Sequence, residues 1–234
     1  MRARLAEGAE DMARVLALRR SGFADDAADA FDARADHLMI EGEGGLLATA
    51  RALRLAPGAL ADSYSAQFYD LRALAARGGA AVEIGRLCLA PALRGGPAAW
   101  EALRLAFATL TRIADQDDAA MLIGCASFPG GDWQRHRGPL AWLAAHHLGP
   151  VELRPGPGVA DPVDYPALAG ECPDPRAGEA GLPPLLRFYL GLGGWVSDHA
   201  VRDRQFDTLH VFTCVETAKI PKARKKALRA LAGQ

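Results

Sequence analysis

The chain has 234 residues, half of which are hydrophobic, and a formal net charge of -1. These values are typical of one large domain, or one domain with additions, that buries a sizeable core. The near-zero charge excludes wholesale electrostatic binding to nucleic acid, and no apolar run reaches the ~18 residues that a membrane span needs.

The first third of the chain predicts a strand, a helix and a β-hairpin. A short strand around residues 3–5 precedes a helix at about residues 9–21, where apolar residues recur at helical spacing. An acidic loop at residues 25–32 leads into a strand that begins at Asp36. A glycine-rich turn then predicts a hairpin, with residues 46–55 as the return strand.

The most informative stretch is a strand predicted at residues 82–89. Its apolar residues follow one another as in a strand buried on both faces. Glu83 and Arg86 interrupt this run, and they are candidates for catalysis because unpaired buried charges are costly. Ion pairs that only stabilise the core are the alternative. Gly85 between them predicts a bulge, without which positions 83 and 86 would face opposite sides.

A glycine-containing turn and a long helix follow this strand. Pro97 fits the first helical position. One apolar stripe is predicted for the helix, formed by Trp100, Leu103, Phe107, Leu110 and Ala114. Because the free N–H groups of a helix start attract anions, Arg94, Gly95 and Gly96 are candidates for binding an anionic group. This arrangement resembles the turn with which GNAT acyltransferases hold the phosphopantetheine arm of an acyl thioester, and the resemblance implies that role for these three residues. An ordinary turn before a helix is the alternative.

The second half of the chain completes an alternating pattern of strands and helices. It predicts a strand at residues 121–128, a helix at 139–148, an irregular Pro/Gly-rich excursion at 150–184, a helix at 185–195, and strands at 201–206 and 208–215. This order of strands and helices predicts an α/β fold with a mixed β-sheet flanked by helices. The Pro/Gly-rich excursion and the helical segment after it are additions that precede the C-terminal strands.

The C-terminal stretch is basic and predicts a helix. Six cations lie between Lys219 and Arg229, and no acidic residue follows Glu216. With Leu228 and Leu231 about one helical turn apart, this stretch suits a docking helix at an acidic surface. A solvated helix is the alternative. We therefore expect one domain at residues 1–217 and a basic tail at residues 218–234.

The cysteines and histidines predict neither a set of disulfide bonds nor a metal site. The four cysteines lie far apart without a Cys-x-x-Cys pair, at Cys88, Cys125, Cys172 and Cys214. We interpret them as free thiols in a reducing compartment. The histidines show no metal-ligand spacing, so no metal is expected. The N-terminus lacks the apolar stretch of a signal peptide, which favours a cytoplasmic protein.

Four blocks of the sequence together resemble the ornithine N-acyltransferase family of the GNAT superfamily. They are residues 29–38, 83–88, 123–130 and 182–190. The resemblance covers nearly the whole chain and implies a GNAT-like fold. It also implies transfer of a 3-hydroxyacyl group from acyl carrier protein to the α-amino group of ornithine, the first step of ornithine lipid biosynthesis. Glutamine as the acceptor is the alternative, and acyl-homoserine-lactone synthesis is less favoured.

The resemblance also implies the partners of the protein. The acyl group would arrive on the phosphopantetheine of acyl carrier protein, so no resident cofactor is expected. The amino-acid substrate would be the second partner. The basic tail would contact either acyl carrier protein or the anionic inner membrane as a peripheral surface.

Direct acyl transfer needs a base, an oxyanion donor and a site for the amino acid. Glu83 is the candidate base. The backbone around Leu87, Cys88 and Leu89 is the candidate oxyanion donor.

The acceptor site is predicted around the acidic loop and the strands that follow it. Arg19 or Arg51 would bind the carboxylate of the amino acid, and Asp32 and Asp36 would bind its ammonium groups. Asp29 is interpreted as a solvated loop residue. His37 is included in this site, although a strand-end histidine bonded to the backbone is the more common role.

Overall fold

The computed structural model describes residues 1–22, 28–93, 96–159, 162–171 and 174–233. In chain order these residues contain β1 (Arg2–Leu5), α1 (Gly8–Gly22), β2 (Asp36–Gly42), β3 (Gly45–Leu55), β4 (Tyr69–Asp70), α2 (Arg72–Ala76), β5 (Ala81–Leu89), α3 (Pro97–Gln116), β6 (Met121–Pro129), α4 (Arg137–His146), β7 (Gly156–Pro157), β8 (Val163–Asp164), α5 (Pro175–Ala180), α6 (Pro184–Gly191), β9 (Trp195–Asp203), β10 (Thr208–Glu216) and α7 (Lys222–Ala232).

The chain forms two compact units. The first contains Met1–Arg54, Val82–Ala119 and Lys222–Gln234, and the second contains Leu55–Ala81 and Ala120–Pro221. Within the described ranges, no helix is both long and apolar enough to cross a bilayer. The basic helix α7 belongs to the first unit, so its residues pack with elements from the start and the middle of the chain.

The strands of the first unit follow the order β1-β2-β3-β5. β2 is antiparallel to both β1 and β3, and its register with β3 places His37 opposite Arg51 and Asp36 opposite Ala52. Because successive side chains of a strand point to opposite faces, His37 and Arg51 share one face. Asp36 lies on the other face, where its carboxylate accepts a 2.7 Å hydrogen bond from Arg54.

Helix α3 buries most of the apolar stripe that its sequence predicts. Leu103, Phe107, Leu110 and Ala114 are buried. Trp100 is not, since 46% of its surface is exposed. The prediction for Trp100 was wrong because its ring lines a groove at the surface instead of packing in the core.

Helix α7 packs against α3. Leu228 is buried, and Arg229 donates two hydrogen bonds of 2.7 and 2.8 Å to the Asp115 carboxylate near the end of α3. The predicted C-terminal helix is therefore confirmed. The acidic surface that it was predicted to contact stays a prediction.

The second unit arranges its longer strands in the order β6-β10-β9, with β8 beyond β9. β10 is antiparallel to both β6 and β9, whereas the bridge between Leu148 and Val196 is parallel. The core joins these strands to α4 and α6, including Leu186 and Leu190 of α6. The predicted α/β fold with a mixed sheet and an extra helical segment is confirmed.

Strand β9 begins at Trp195, six residues before the predicted start at Val201. Gly193 explains the difference, because its φ of +85° ends the preceding helix and turns the chain directly into the strand. The apolar run after the helix therefore belongs to the strand and not to a longer helix.

Gly149→Ala is expected to destabilise the second unit by about 1–3 kcal/mol, the usual cost of overpacking. A Cβ at this position would lie 2.3 Å from Trp195 Cε3. Urea unfolding of the purified variant measures the change. Gly138→Ala in α4 is the matched control, because its Cβ would meet no heavy atom within 4 Å. Equal stabilities of the two variants would contradict the packing argument.

Candidate active site

A buried ionic network joins α1, the loop before β2, β3 and β5 in the first unit. Its members are Arg19, Asp29, Asp32, Arg51 and Arg86, hereafter the arginine–aspartate network. Asp32 Oδ1 accepts hydrogen bonds from Arg19 Nη1 at 2.8 Å and from Arg51 Nη1 at 2.9 Å. Asp29 accepts from Arg51 Nη1 at 2.6 Å and from Arg86 Nη2 at 3.2 Å. The two carboxylates therefore connect all three guanidinium groups.

The loop that carries the two aspartates is fixed by its own backbone. The N–H of Asp29 donates to Asp32 Oδ2 at 2.9 Å, and the N–H groups of Phe31 and Asp32 donate to Asp29 Oδ1 at 2.9 and 3.2 Å. Short acidic side chains favour such local turns. His37 Nε2 donates to the carbonyl oxygen of Asp32 at 3.0 Å and fixes the end of the loop.

The regular alternation of β5 breaks at Arg86, which has a φ of +50°. Such a conformation is uncommon for a residue other than glycine and marks a local irregularity in the strand. The sequence predicted a bulge at Gly85, one residue earlier. The break explains how Arg86 reaches Asp29, because a regular strand would direct positions 83 and 86 to opposite faces.

Glu83 lies on the network's side of β5. A Cβ on Gly85 would be 3.8 Å from Arg51 Nη2, so this face of the strand looks towards the Arg51 guanidinium. Glu83 precedes Gly85 by two residues and therefore shares its face. Only 4% of Glu83 is exposed. The strand thus directs a buried carboxylate to the same side as the network.

The network is most accessible at Asp29 and Arg86. Their side chains are 26% and 10% exposed. The side chains of Arg19, Arg51 and Asp32 are only 1%, 3% and 5% exposed. Asp29 and Arg86 therefore form the edge that a ligand can reach, and the other three residues lie beneath it.

The arginines keep both aspartates ionised. Burial alone would raise the pKa of Asp29 and Asp32, but hydrogen bonds and charge from Arg51 and Arg19 outweigh it and lower both pKa values below the ordinary range. Three arginines and two aspartates leave one formal positive charge, which an ionised Glu83 would balance.

Acid is expected to weaken the first unit through these two carboxylates. A depressed folded-state pKa gives stability that is fully present above the unfolded value of about 3.9 and is lost as pH falls through the folded value. Urea unfolding between about pH 5 and pH 2 should show this loss. In Asp29→Asn the slope with pH should be smaller. An identical pH profile for the variant and the wild type would contradict the coupling.

The remaining predicted site residues that the structure describes lie outside the network. Asp36 is on the opposite face of β2 and pairs with Arg54. Cys88 packs against the end of α1, where a Cβ on Gly22 would be 3.0 Å from its Sγ. Leu87 and Leu89 are half-buried on β5. Gly96 is the N-cap of α3. Arg94 and Gly95 lie outside the described residues, as does the predicted free thiol of Cys172.

Asp29 is the network residue that the sequence interpretation missed. It was expected to be solvated, but its carboxylate contacts Arg51 and Arg86. The spacing of Asp29 and Asp32 in one loop was the available signal, since each can accept from the other's backbone. Their arginine partners are distant in sequence, so local patterns could not identify the contact.

The acetyltransferase (GNAT) domain family matches residues 10–103, the part of the chain that carries the network. The L-ornithine N(alpha)-acyltransferase of Rhodobacter capsulatus is 34% identical over 207 residues, which cover 85% of this chain and 78% of the relative. The enzyme of that name from Agrobacterium fabrum is 32% identical, with 82% and 68% covered. The chain belongs to the L-ornithine N(alpha)-acyltransferase family.

Solved structures show the fold of this acyltransferase independently. The structure of FeeM, an N-acyl amino acid synthase from uncultured soil microbes, aligns with a TM-score of 0.56. The alignment covers 99% of this chain and 96% of FeeM at 13% sequence identity. At this identity the similarity concerns the fold alone, and it confirms the GNAT-like architecture that the sequence predicted.

Proposed function

We propose that this acyltransferase moves an acyl group from acyl carrier protein to the α-amino group of ornithine and so forms lyso-ornithine lipid. The observation that carries the proposal is the arginine–aspartate network on the Glu83 side of β5. The names of the relatives support ornithine as the acceptor. The acyl carrier thioester is a substrate, so the proposal includes no resident cofactor.

The accessible edge of the network suits the charged groups of ornithine. Arg86 would bind the carboxylate, and Asp29 would bind the side-chain ammonium. Arg19, Asp32 and Arg51 are too deeply buried for direct contact, so we assign them to holding Asp29 and Arg86 in place. In the prediction from the sequence, Arg19 or Arg51 bound the carboxylate of the acceptor, and Asp32 and Asp36 bound its ammonium groups. The present assignments give Arg19, Asp32 and Arg51 a supporting role instead, and they give Asp36 no role in acceptor binding.

Glu83 would act as the base. The α-ammonium of ornithine must lose a proton before its nitrogen can attack the thioester carbonyl, and a positioned carboxylate can accept that proton. Attack forms the C–N bond of the amide, and collapse of the tetrahedral intermediate breaks the C–S bond. The thiolate leaves on the carrier and takes up a proton. The backbone from Leu87 to Leu89 is proposed to stabilise the oxyanion.

The accessible carboxylate of Asp29 favours ornithine over glutamine. Ornithine carries a second ammonium group, which Asp29 can pair with, whereas the side chain of glutamine ends in a neutral amide. An Asp29 without a cationic partner from the substrate would offer glutamine only a hydrogen bond, which is weaker than a charge-assisted one. The choice of acceptor therefore depends on this residue.

Expression in a bacterium that lacks aminolipids tests the proposed function. Mass spectrometry of the lipid extract should show N-acylornithine, because the head-group mass reports the acceptor. Asp29→Asn should reduce this product, while Asp36→Asn, on the opposite face of β2, should retain it. An extract with acylglutamine would overturn the choice of acceptor. An extract without any new aminolipid would overturn the function.

A further inference from the structure

A groove on the first unit runs along α3 between β1 and the end of α7. It encloses about 880 Å³ and is lined by residues of these three elements, among them Trp100, Leu105 and Leu231. Among the described residues, large hydrophobic side chains are exposed at three positions, and two of them, Met1 and Trp100, line this groove. Two exposed apolar side chains in one groove make it a candidate interaction site.

The groove is also cationic. Arg2, Arg104 and Arg112 line it against a single acidic residue, Glu101. Arg112 Nη1 also donates to the carbonyl oxygen of Ala232 at 3.5 Å, which links α7 to the groove wall. An exposed tryptophan surrounded by arginines is the composition of a protein-binding hot spot, and the excess of positive charge selects an acidic partner.

The groove begins at the start of α3. Pro97, the first residue of that helix, lines it and directly follows Gly96. The sequence predicts that the phosphopantetheine arm binds at positions 94–96, so a partner seated in the groove would lie beside the arm. The position therefore suits the protein that carries the acyl thioester.

A protein partner fits the groove better than a bilayer does. Peripheral helices bind membranes by inserting large apolar side chains. On α7 the exposed residues are lysine, arginine and alanine, whereas Leu228 is turned towards α3. The exposed Trp100 ring lies in a concave groove, which accommodates a projecting helix and not a flat lipid surface.

We propose that this groove docks an acidic helix of the acyl carrier protein, an inference that rests on the proposed acyl donor. Trp100 would be the apolar anchor, and Arg2, Arg104 and Arg112 would pair with carboxylates of the carrier. The groove therefore sets the affinity for the carrier, and the arginine–aspartate network sets the choice of amino acid.

The double variant Trp100→Ala, Arg104→Glu tests this docking site. Its KM for the acyl carrier thioester should rise by about tenfold or more, since anchor residues contribute at least that much. Turnover with an acyl-pantetheine thioester, which lacks the carrier, should stay within about twofold of wild type. Arg135→Glu, an exposed arginine outside the groove, is the matched charge control. Circular dichroism of the variants confirms that they fold.

Titration of the carrier protein onto wild type and the double variant separates this inference from the proposed function. Carrier binding that the variant loses supports the groove even if ornithine is not the acceptor. Equal binding to both proteins overturns the docking site and leaves the transfer reaction untouched. Loss of binding to anionic phosphatidylglycerol vesicles, with carrier binding retained, overturns it in favour of a membrane contact.

Discussion

Glu83→Gln should leave the fold intact and lower kcat about 10²–10⁴-fold near neutral pH, the usual contribution of a general base. The amide has nearly the same shape as the carboxylate but cannot accept the proton of the substrate ammonium. Glu83 is buried on the face of β5 that looks towards Arg51, on the same side as the arginine–aspartate network. Initial rates with saturating donor and ornithine give kcat directly.

The pH dependence of Glu83→Gln distinguishes loss of a base from general damage. Raising the pH increases the neutral fraction of the amine, so the variant should recover part of its rate as the pH rises. Glu43→Gln, in the exposed turn between β2 and β3, is the matched control and should retain wild-type turnover. Wild-type kcat in folded Glu83→Gln would exclude this residue as the base.

Asp32→Asn should destabilise the protein by about 3–5 kcal/mol, the cost of leaving buried charges without their partner. Asp32 Oδ1 accepts from both Arg19 and Arg51, and all three side chains are almost fully buried. An asparagine of similar size keeps the volume but loses the negative charge, so Arg19 and Arg51 each lose a charge-assisted hydrogen bond in a buried site, while Arg51 keeps its bond to Asp29. Urea unfolding at pH 7 measures the difference.

Asp36→Asn provides the comparison, because Asp36 lies only four residues away. Its pair with Arg54 has side chains 32% and 39% exposed, and pairs of this kind contribute about 0.2–1 kcal/mol. The expected order is therefore a large loss for Asp32→Asn and a small one for Asp36→Asn. Similar losses in the two variants would show that burial of the network does not determine its strength.

The spacing of apolar residues, together with proline and glycine at element ends, predicted most of the local structure. The helix at α3 and the strand at β5 followed from apolar spacing and from Pro97 at the helix start. Glu83 and Arg86 were identified as candidates for catalysis because charges are rare inside an apolar strand. These features depend on residues close in sequence, and local preferences are enough to predict them.

Contacts between distant segments were beyond the reach of sequence patterns. Whether Asp29 is solvated or paired depends on where β3 and β5 place Arg51 and Arg86. Whether Trp100 is buried depends on which part of α3 is covered by its neighbours, and the apolar stripe alone does not contain that information. The local break at Arg86, needed for the contact with Asp29, was expected one residue earlier because glycine adopts such conformations most easily.

The structure was also needed to tell which residues of the network can contact substrate and which support them. Sequence patterns made Arg19, Arg51 and Asp32 candidates for direct contact with the acceptor, the arginines with its carboxylate and the aspartate with its ammonium groups. Side-chain exposure separates the buried members from the accessible edge at Asp29 and Arg86. A residue that contacts substrate must be accessible from solvent, and residue type and sequence spacing do not show whether it is.

The most direct test of the proposed reaction is a competition between acceptors in a purified system. The protein is incubated with an acyl carrier thioester and equimolar ornithine and glutamine, and tandem mass spectrometry determines the product and the nitrogen that carries the acyl group. The account predicts Nα-acylornithine as the main product. Acylation of the side-chain nitrogen of ornithine, or preferential formation of acylglutamine, would contradict it.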